Sequence, residues 1–166
     1  MRSSCRTLSG LLLTALVGQT GCALLARATS TPEKPEPVKL RICLAETEPR
    51  PDYQPTKDEV GRQLYVSPQA LATEADVQAA SVLRGPQRGL VLVEFGPLAA
   101  NELEVVSSLP AGRRLAIYID DRLVLSPLLT RPICDGKVIL DGGFSQREAE
   151  RIARGLNIRR PTPIGR

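Results

Sequence analysis

Asp120, Asp121, Asp135 and Asp141 lie close enough in sequence to gather around a cation, and Gly142-Gly143-Phe144-Ser145 opens a predicted helix whose free backbone N–H groups would suit an anion. Each has a plainer reading. Asp is favoured in turns because its carboxylate bonds to nearby backbone, so turn chemistry accounts for the four aspartates and no metal is expected. The helix start is also provided for, because Ser145 and Glu148 are spaced as a capping box. In that device the Ser oxygen accepts from the third N–H and the Glu reaches back to the Ser amide. Cys43 and Cys134 are candidate nucleophiles, but the sequence contains no histidine to activate them. The same absence excludes His-based triads and His-ligated metal sites. No catalytic residue, no cofactor and no enzymatic activity are expected.

Cys22 is the thiol with a different chemistry. Ahead of it, Arg2 and Arg6 precede an apolar run from Leu8 to Gly18, which is the pattern of a signal peptide. The run is too short to span a bilayer, which takes about 20 apolar residues in a helix. Gly21-Cys22 then resembles the end of the bacterial lipoprotein signal, with Gln19 standing where that signal has Leu or another apolar residue. The resemblance implies cleavage before Cys22 and attachment of diacylglycerol to its thiol. Two or three acyl chains hold a protein stably, since each buried methylene contributes about 0.8 kcal/mol. An ordinary cleaved signal and an uncut anchor reaching Leu25 are the other readings. All three place the remainder outside the cytoplasm, facing the periplasm or the cell exterior.

Export bears on the remaining cysteines. Cys5 leaves with residues 1–21, so Cys43 and Cys134 stay behind in an oxidising space, where they form either a disulfide or two separately buried thiols. The charge balance is modest, +4 for the whole chain, and cleavage removes Arg2 and Arg6 but no acid. That is no nucleic-acid signature.

The elements that would position these residues follow from composition and period. Residues 22–39 form a tether in which Pro32, Pro35 and Pro37 favour an extended spacer. Residues 40–158 form one domain, and residues 159–166, with Arg159, Arg160 and Arg166, a basic tail. Leu40 to Ala45 alternates as a half-buried strand, Glu46 to Arg62 reads as a long polar loop, and Gln63 to Ser67 as a short strand. Asp76 to Arg84 reads as a strand, Gly85 to Gly89 as a turn, and Leu90 to Phe95 as a strand. Gly96-Pro97 opens a helix with Ala99, Leu103 and Val106 beside Leu98, Val105 and Leu109 on its apolar face, stopped by Pro110 and Gly112. Leu115 to Ile119 and Leu123 to Leu125 form a hairpin around Asp120-Asp121, and Val138 to Leu140 is a further strand. In the last helix, Ala149, Ile152, Ala153 and Leu156 line up on one face. Strands and helices with one apolar face each predict an α+β fold, an antiparallel sheet of mixed order backed by two helices.

Residues 113–156, RRLAIYIDDRLVLSPLLTRPICDGKVILDGGFSQREAERIARGL, resemble the periplasmic head subdomain of the protein-export subunit SecD. The likeness is carried by Gly112, Leu115, Ala116, Ile117, Asp120, Val124, Ser126 and Pro127, then by Ile133 and Gly136. It continues through Gly142, Phe144, Ser145, Glu148, Ala149, Ala153 and Leu156, and weaker counterparts extend it over residues 39–158. Asp121 replaces the turn glycine of that family.

The resemblance implies the SecD head fold and a module that contacts emerging polypeptide beside the Sec translocon. It further implies that proton-driven pulling, which needs the family's membrane helices, is not done by this chain alone. The expected function is a lipid-anchored module that binds polypeptide, through an exposed strand edge, and assists protein export or folding. The alternative is a structural or assembly lipoprotein that docks one folded partner. A small hydrolase would need a site that no residue pattern supplies.

Overall fold

A computed structural model of the chain describes residues 35–84, 88–109 and 112–158, all in the compact unit that begins at Lys34. Gly21, Cys22, the signal segment, most of the tether, the centre of the 85–89 turn, Pro110 and the basic tail lie outside the described residues. Eight strands and two helices follow in the order β1 (Leu40–Glu46), β2 (Gln54–Lys57), β3 (Gln63–Thr73), β4 (Val77–Arg84), β5 (Gly89–Phe95), α1 (Pro97–Ser107), β6 (Arg114–Ile119), β7 (Arg122–Leu125), β8 (Lys137–Leu140) and α2 (Gln146–Asn157).

The fold is α+β with antiparallel pairing throughout, as expected, but the strands form two sheets. A five-stranded sheet has the order β2-β3-β1-β6-β7, and a three-stranded sheet the order β4-β5-β8. Alternation decides what each face buries. In β6, Leu115, Ile117 and Ile119 join the main core, whereas Ala116 and Tyr118 turn to a smaller cluster with Cys43, Ala45, Leu64 and Val66. The main core also takes Val91, Val93 and Phe95 of β5, Val138 and Leu140 of β8, and Ala149, Ile152, Ala153 and Leu156 of α2.

Three expectations are corrected. The polar loop from Glu46 to Arg62 contains β2, paired with β3 through Gln54↔Val66 and Lys57↔Gln63. Its Pro55 is tolerated because β2 is an edge strand, where a missing N–H faces no partner. The compact fold begins before Leu40: Val38 is fully buried against α2. The Lys39 N–H donates to Asp120 Oδ1 at 3.1 Å, and the Lys39 carbonyl accepts from the Asp120 N–H at 3.0 Å. In α1, Ala99 and Leu103 are buried and Val106 is half-buried, but Leu98 and Val105 are 84% and 56% exposed, and Leu109 is exposed as well. At about 100° per residue Leu98 and Val105 form a separate stripe from the buried one, which the helix turns outward, while Leu109 lies beyond the helix end.

The β6–β7 hairpin and α2 match their sequence reading. Asp120 and Asp121 have φ of 49° and 65°, so both central turn residues are left-handed without a glycine. Ser145 caps α2 by accepting from the Glu148 N–H at 3.2 Å, which is the first of the two bonds of the expected box. A full capping box instead precedes the short turn of 3₁₀ helix at Glu74–Asp76, built from Thr73 and Asp76.

Candidate functional site

The residues that carry the family motif are distributed as turn, bridge and cap devices. Asp120 is a junction: besides its bonds to Lys39, its Oδ2 accepts from Arg151 Nη1 of α2 at 3.1 Å, while Asp121 pairs with Lys39 Nζ at 3.1 Å. Ser126 is buried; its hydroxyl donates to Glu59 Oε2 at 3.0 Å and its carbonyl accepts from Arg114 Nη1 at 2.6 Å. Pro127 follows with its carbonyl accepting from the Leu115 N–H at 3.1 Å, so the segment after β7 stays bonded along β6. Gly142 leaves room for the ring of the buried Phe144, whose carbonyl accepts from the Gly89 N–H at 3.0 Å. Glu148 serves through its N–H on Ser145. These partners hold sheet to helix and loop to strand. Among the described residues no group of three or more His, Cys, Asp or Glu is placed to hold a metal ion.

Cys43 and Cys134 are both free, so the disulfide reading is corrected. Cys43 is buried in β1 within the smaller cluster, whereas Cys134 is exposed in the connection before β8. Burial pushes the Cys43 thiol above its ordinary value, and the nearby Arg41 pulls the other way more weakly. Burial likewise raises the Tyr118 phenol, over which Arg41 stacks at 4.4 Å from the ring centroid. Both acids are therefore held in their neutral forms more strongly folded than unfolded. The stability this lends is complete below the unfolded thiol value, about 8.5, and is lost as pH rises through the folded values. A urea midpoint that falls from pH 8 to pH 10, with a flatter fall in Cys43→Ala, is the expected result.

What the structure does bring together is an open apolar face. On the side of the three-stranded sheet away from the core, Leu83 pairs with Leu90 and Leu92 with Ile139, the last 52% exposed. Glu94 and Lys137 form an ion pair of 3.3 Å on the same face. Beside it lies a cavity of about 510 Å³, walled by Leu92, Ile139, Lys137 and the 131–135 segment. A second cavity of about 400 Å³ lies at the start of α1, between Gln78, Pro97 and Leu98. The sequence reading did not single out Leu92 or Ile139. The alternation in Lys137-Val138-Ile139-Leu140 was the available signal, because it faces Ile139 outward once Leu140 is inward.

Against known proteins, the model of the family described as SecDF, P1 head subdomain matches residues 51–158. The protein translocase subunit SecDF of Thermus thermophilus is 34% identical over 84 residues, which is 50% of this chain and 11% of that protein. The protein translocase subunit SecD of Calditerrivibrio nitroreducens is 28% identical over 80 residues, 48% of this chain and 15% of that one. The chain thus spans a small part of these curated relatives. One solved structure, of a membrane component SecDF described as enhancing protein export, is 22% identical with a TM-score of 0.56, covering 74% of this chain and 63% of the other. A second, of SecDF in its super-membrane-facing form, is 22% identical with a TM-score of 0.57, covering 74% and 19%. These two share the fold of antiparallel sheets with two helices. Since the family match runs from the turn before β2 through the end of α2, taking in every motif residue placed above, the chain belongs to the SecDF P1 head subdomain family.

Proposed function

We propose that this chain is a non-catalytic, protein-export-related module that binds polypeptide outside the cytoplasm beside the Sec translocon and is held at a membrane through lipidated Cys22. The family match across the compact domain is the observation that carries this reading. Two further features support it. The open apolar sheet face is of the kind that marks interaction surfaces on soluble domains. Among the described residues no helix is long and apolar enough to cross a membrane, so within them attachment has no spanning helix to use.

The test is mild crosslinking of the chain in its native membrane, then purification and mass spectrometry of its partners. Translocon components together with varied exported proteins are the expected recovery. A single folded partner in fixed stoichiometry would replace the reading with a docking lipoprotein. For the anchor, metabolic labelling with a palmitate analogue is expected to mark the wild type and not Cys22→Ser, which should also leave the membrane fraction. Labelling that survives in Cys22→Ser would refute anchoring at that residue.

A further inference from the structure

We infer that an extended segment of unfolded polypeptide adds to the outer edge of β8 as a fourth strand of the three-stranded sheet and places an aliphatic side chain in the cavity beside Leu92 and Ile139. This rests on the polypeptide-binding reading above and gives it a location.

The order β4-β5-β8 leaves two edges, and they are treated differently. The edge of β4 is closed. Asn157, the last residue of α2, accepts from the Ala80 N–H through Oδ1 at 3.1 Å and donates through Nδ2 to the Ala80 carbonyl at 2.8 Å. Its amide stands where the peptide group of a further strand would lie, a device that protects edges from pairing.

The edge of β8 has no such cover at its centre. The Phe95 N–H donates to the Gly136 carbonyl at 2.9 Å, and pairing continues through Glu94↔Lys137, Val93↔Val138 and Leu92↔Ile139. Because bonded and non-bonded pairs alternate in an antiparallel ladder, Val138 turns its peptide groups to β5, while Lys137 and Ile139 turn theirs away. The Lys137 N–H is taken by Asp135 Oδ1 at 3.1 Å. Among the described residues no loop or side-chain hydrogen bond reaches the N–H or carbonyl of Ile139. One residue thus offers the donor and acceptor pair on which strand addition is built.

Side chains sharpen the choice of guest. Ile139 and Leu92 form the floor of the cavity, and Pro132 and Ile133 form its wall. That wall is fixed to α1, since the Ile133 N–H donates to Ser107 Oγ at 2.8 Å. Lys137 is neutralised by Glu94, whereas Arg131 at the rim makes no ion pair with any described residue. A guest strand therefore fits best with an aliphatic residue over the floor and an acidic one two positions away, on the same face. Two main-chain hydrogen bonds and one side chain make a weak, sequence-tolerant grip, suited to a chain in transit rather than a permanent subunit.

Cys134 lines the cavity and is exposed, so its alkylation by iodoacetamide, resolved by mass spectrometry, reports occupancy in the full chain. The probe is reduced, carboxymethylated α-lactalbumin, with the folded disulfide-bonded protein as control. We expect the unfolded probe to slow Cys134 alkylation about fivefold and Ile139→Lys to weaken its binding about tenfold or more. Ile139→Thr should give a smaller loss, and Leu98→Lys on α1 none. Equal binding by wild type and Ile139→Lys, with Cys134 alkylation unchanged, would overturn the edge assignment and leave polypeptide binding standing. Failure of the wild type to bind the unfolded probe would remove both. Protection of Cys134 that rises with protein concentration in the absence of probe would assign the edge to a second copy of the chain and overturn the proposal.

Discussion

Gly136→Val is expected to lower the stability of the domain by about 3 kcal/mol or more in urea denaturation, because two independent penalties meet at one residue. Gly136 has φ of +62°, a conformation that costs L-residues roughly 1–2 kcal/mol and β-branched ones the most. An added Cβ would also stand 2.6 Å from Ala100 Cβ, 3.5 Å from Ala100 Cα and 3.6 Å from the Phe95 carbonyl oxygen. Overpacking of that kind costs roughly 1–3 kcal/mol, and here relief would mean moving α1 or giving up the Phe95–Gly136 bond that starts the β5–β8 ladder. Gly61→Ala is the control. It has φ of +81° with nothing within 4 Å of the added Cβ, so it should show the backbone penalty alone, about 1 kcal/mol. Equal losses in the two variants would refute the packing half of the argument.

Ile152→Ala is the second large effect, with an expected loss of about 2–5 kcal/mol. Ile152 is fully buried on the face of α2 that covers β4 and β5, where a helix and a sheet meet and neither can collapse into the space left behind. Leu98→Ala removes the same three carbons, yet Leu98 is 84% exposed, so its loss should stay within about 0.5 kcal/mol. Thermal and urea unfolding of the two variants side by side check the contrast. A loss below about 1 kcal/mol for Ile152→Ala would mean that α2 is not part of the cooperative core.

Why some elements were legible in the sequence and others not is clearest residue by residue. β5 and α2 announce themselves because each has one period and one buried face, and β1 because its apolar residues alternate, although it buries Leu40 and Ile42 in the main core and Cys43 and Ala45 in the smaller cluster. The β6–β7 turn was legible because Asp120-Asp121 separates two apolar runs by two residues. β2 was not, since Gln54-Pro55-Thr56-Lys57 buries almost nothing and exists through its pairing with β3. Spacing alone does not single out the buried face of α1, because Leu98, Val105 and Leu109 satisfy helical spacing as well as Ala99, Leu103 and Val106 do. Which stripe turns inward is decided by the sheets the helix meets. The division into two sheets was equally out of reach, since it depends on which strands find each other across the chain. The roles of the motif residues were not legible, since they rest on partners distant in sequence, Lys39 and Arg151 for Asp120 and Glu59 for Ser126. The open edge of β8 was hidden for the same reason: it shows only when Asn157 is seen to close the other one.

The entry of the chain into the fold has a mechanical consequence. β1 is the middle strand of the five-stranded sheet, bonded to β3 on one side and β6 on the other, and Val38 and Lys39 at its start are fastened to α2 and to Asp120. Tension drawn along the chain ahead of Val38 would act parallel to β1 and across ladder bonds that lie perpendicular to it on both flanks. Those bonds would share the load in shear instead of parting one at a time, so the domain would resist unravelling from that end.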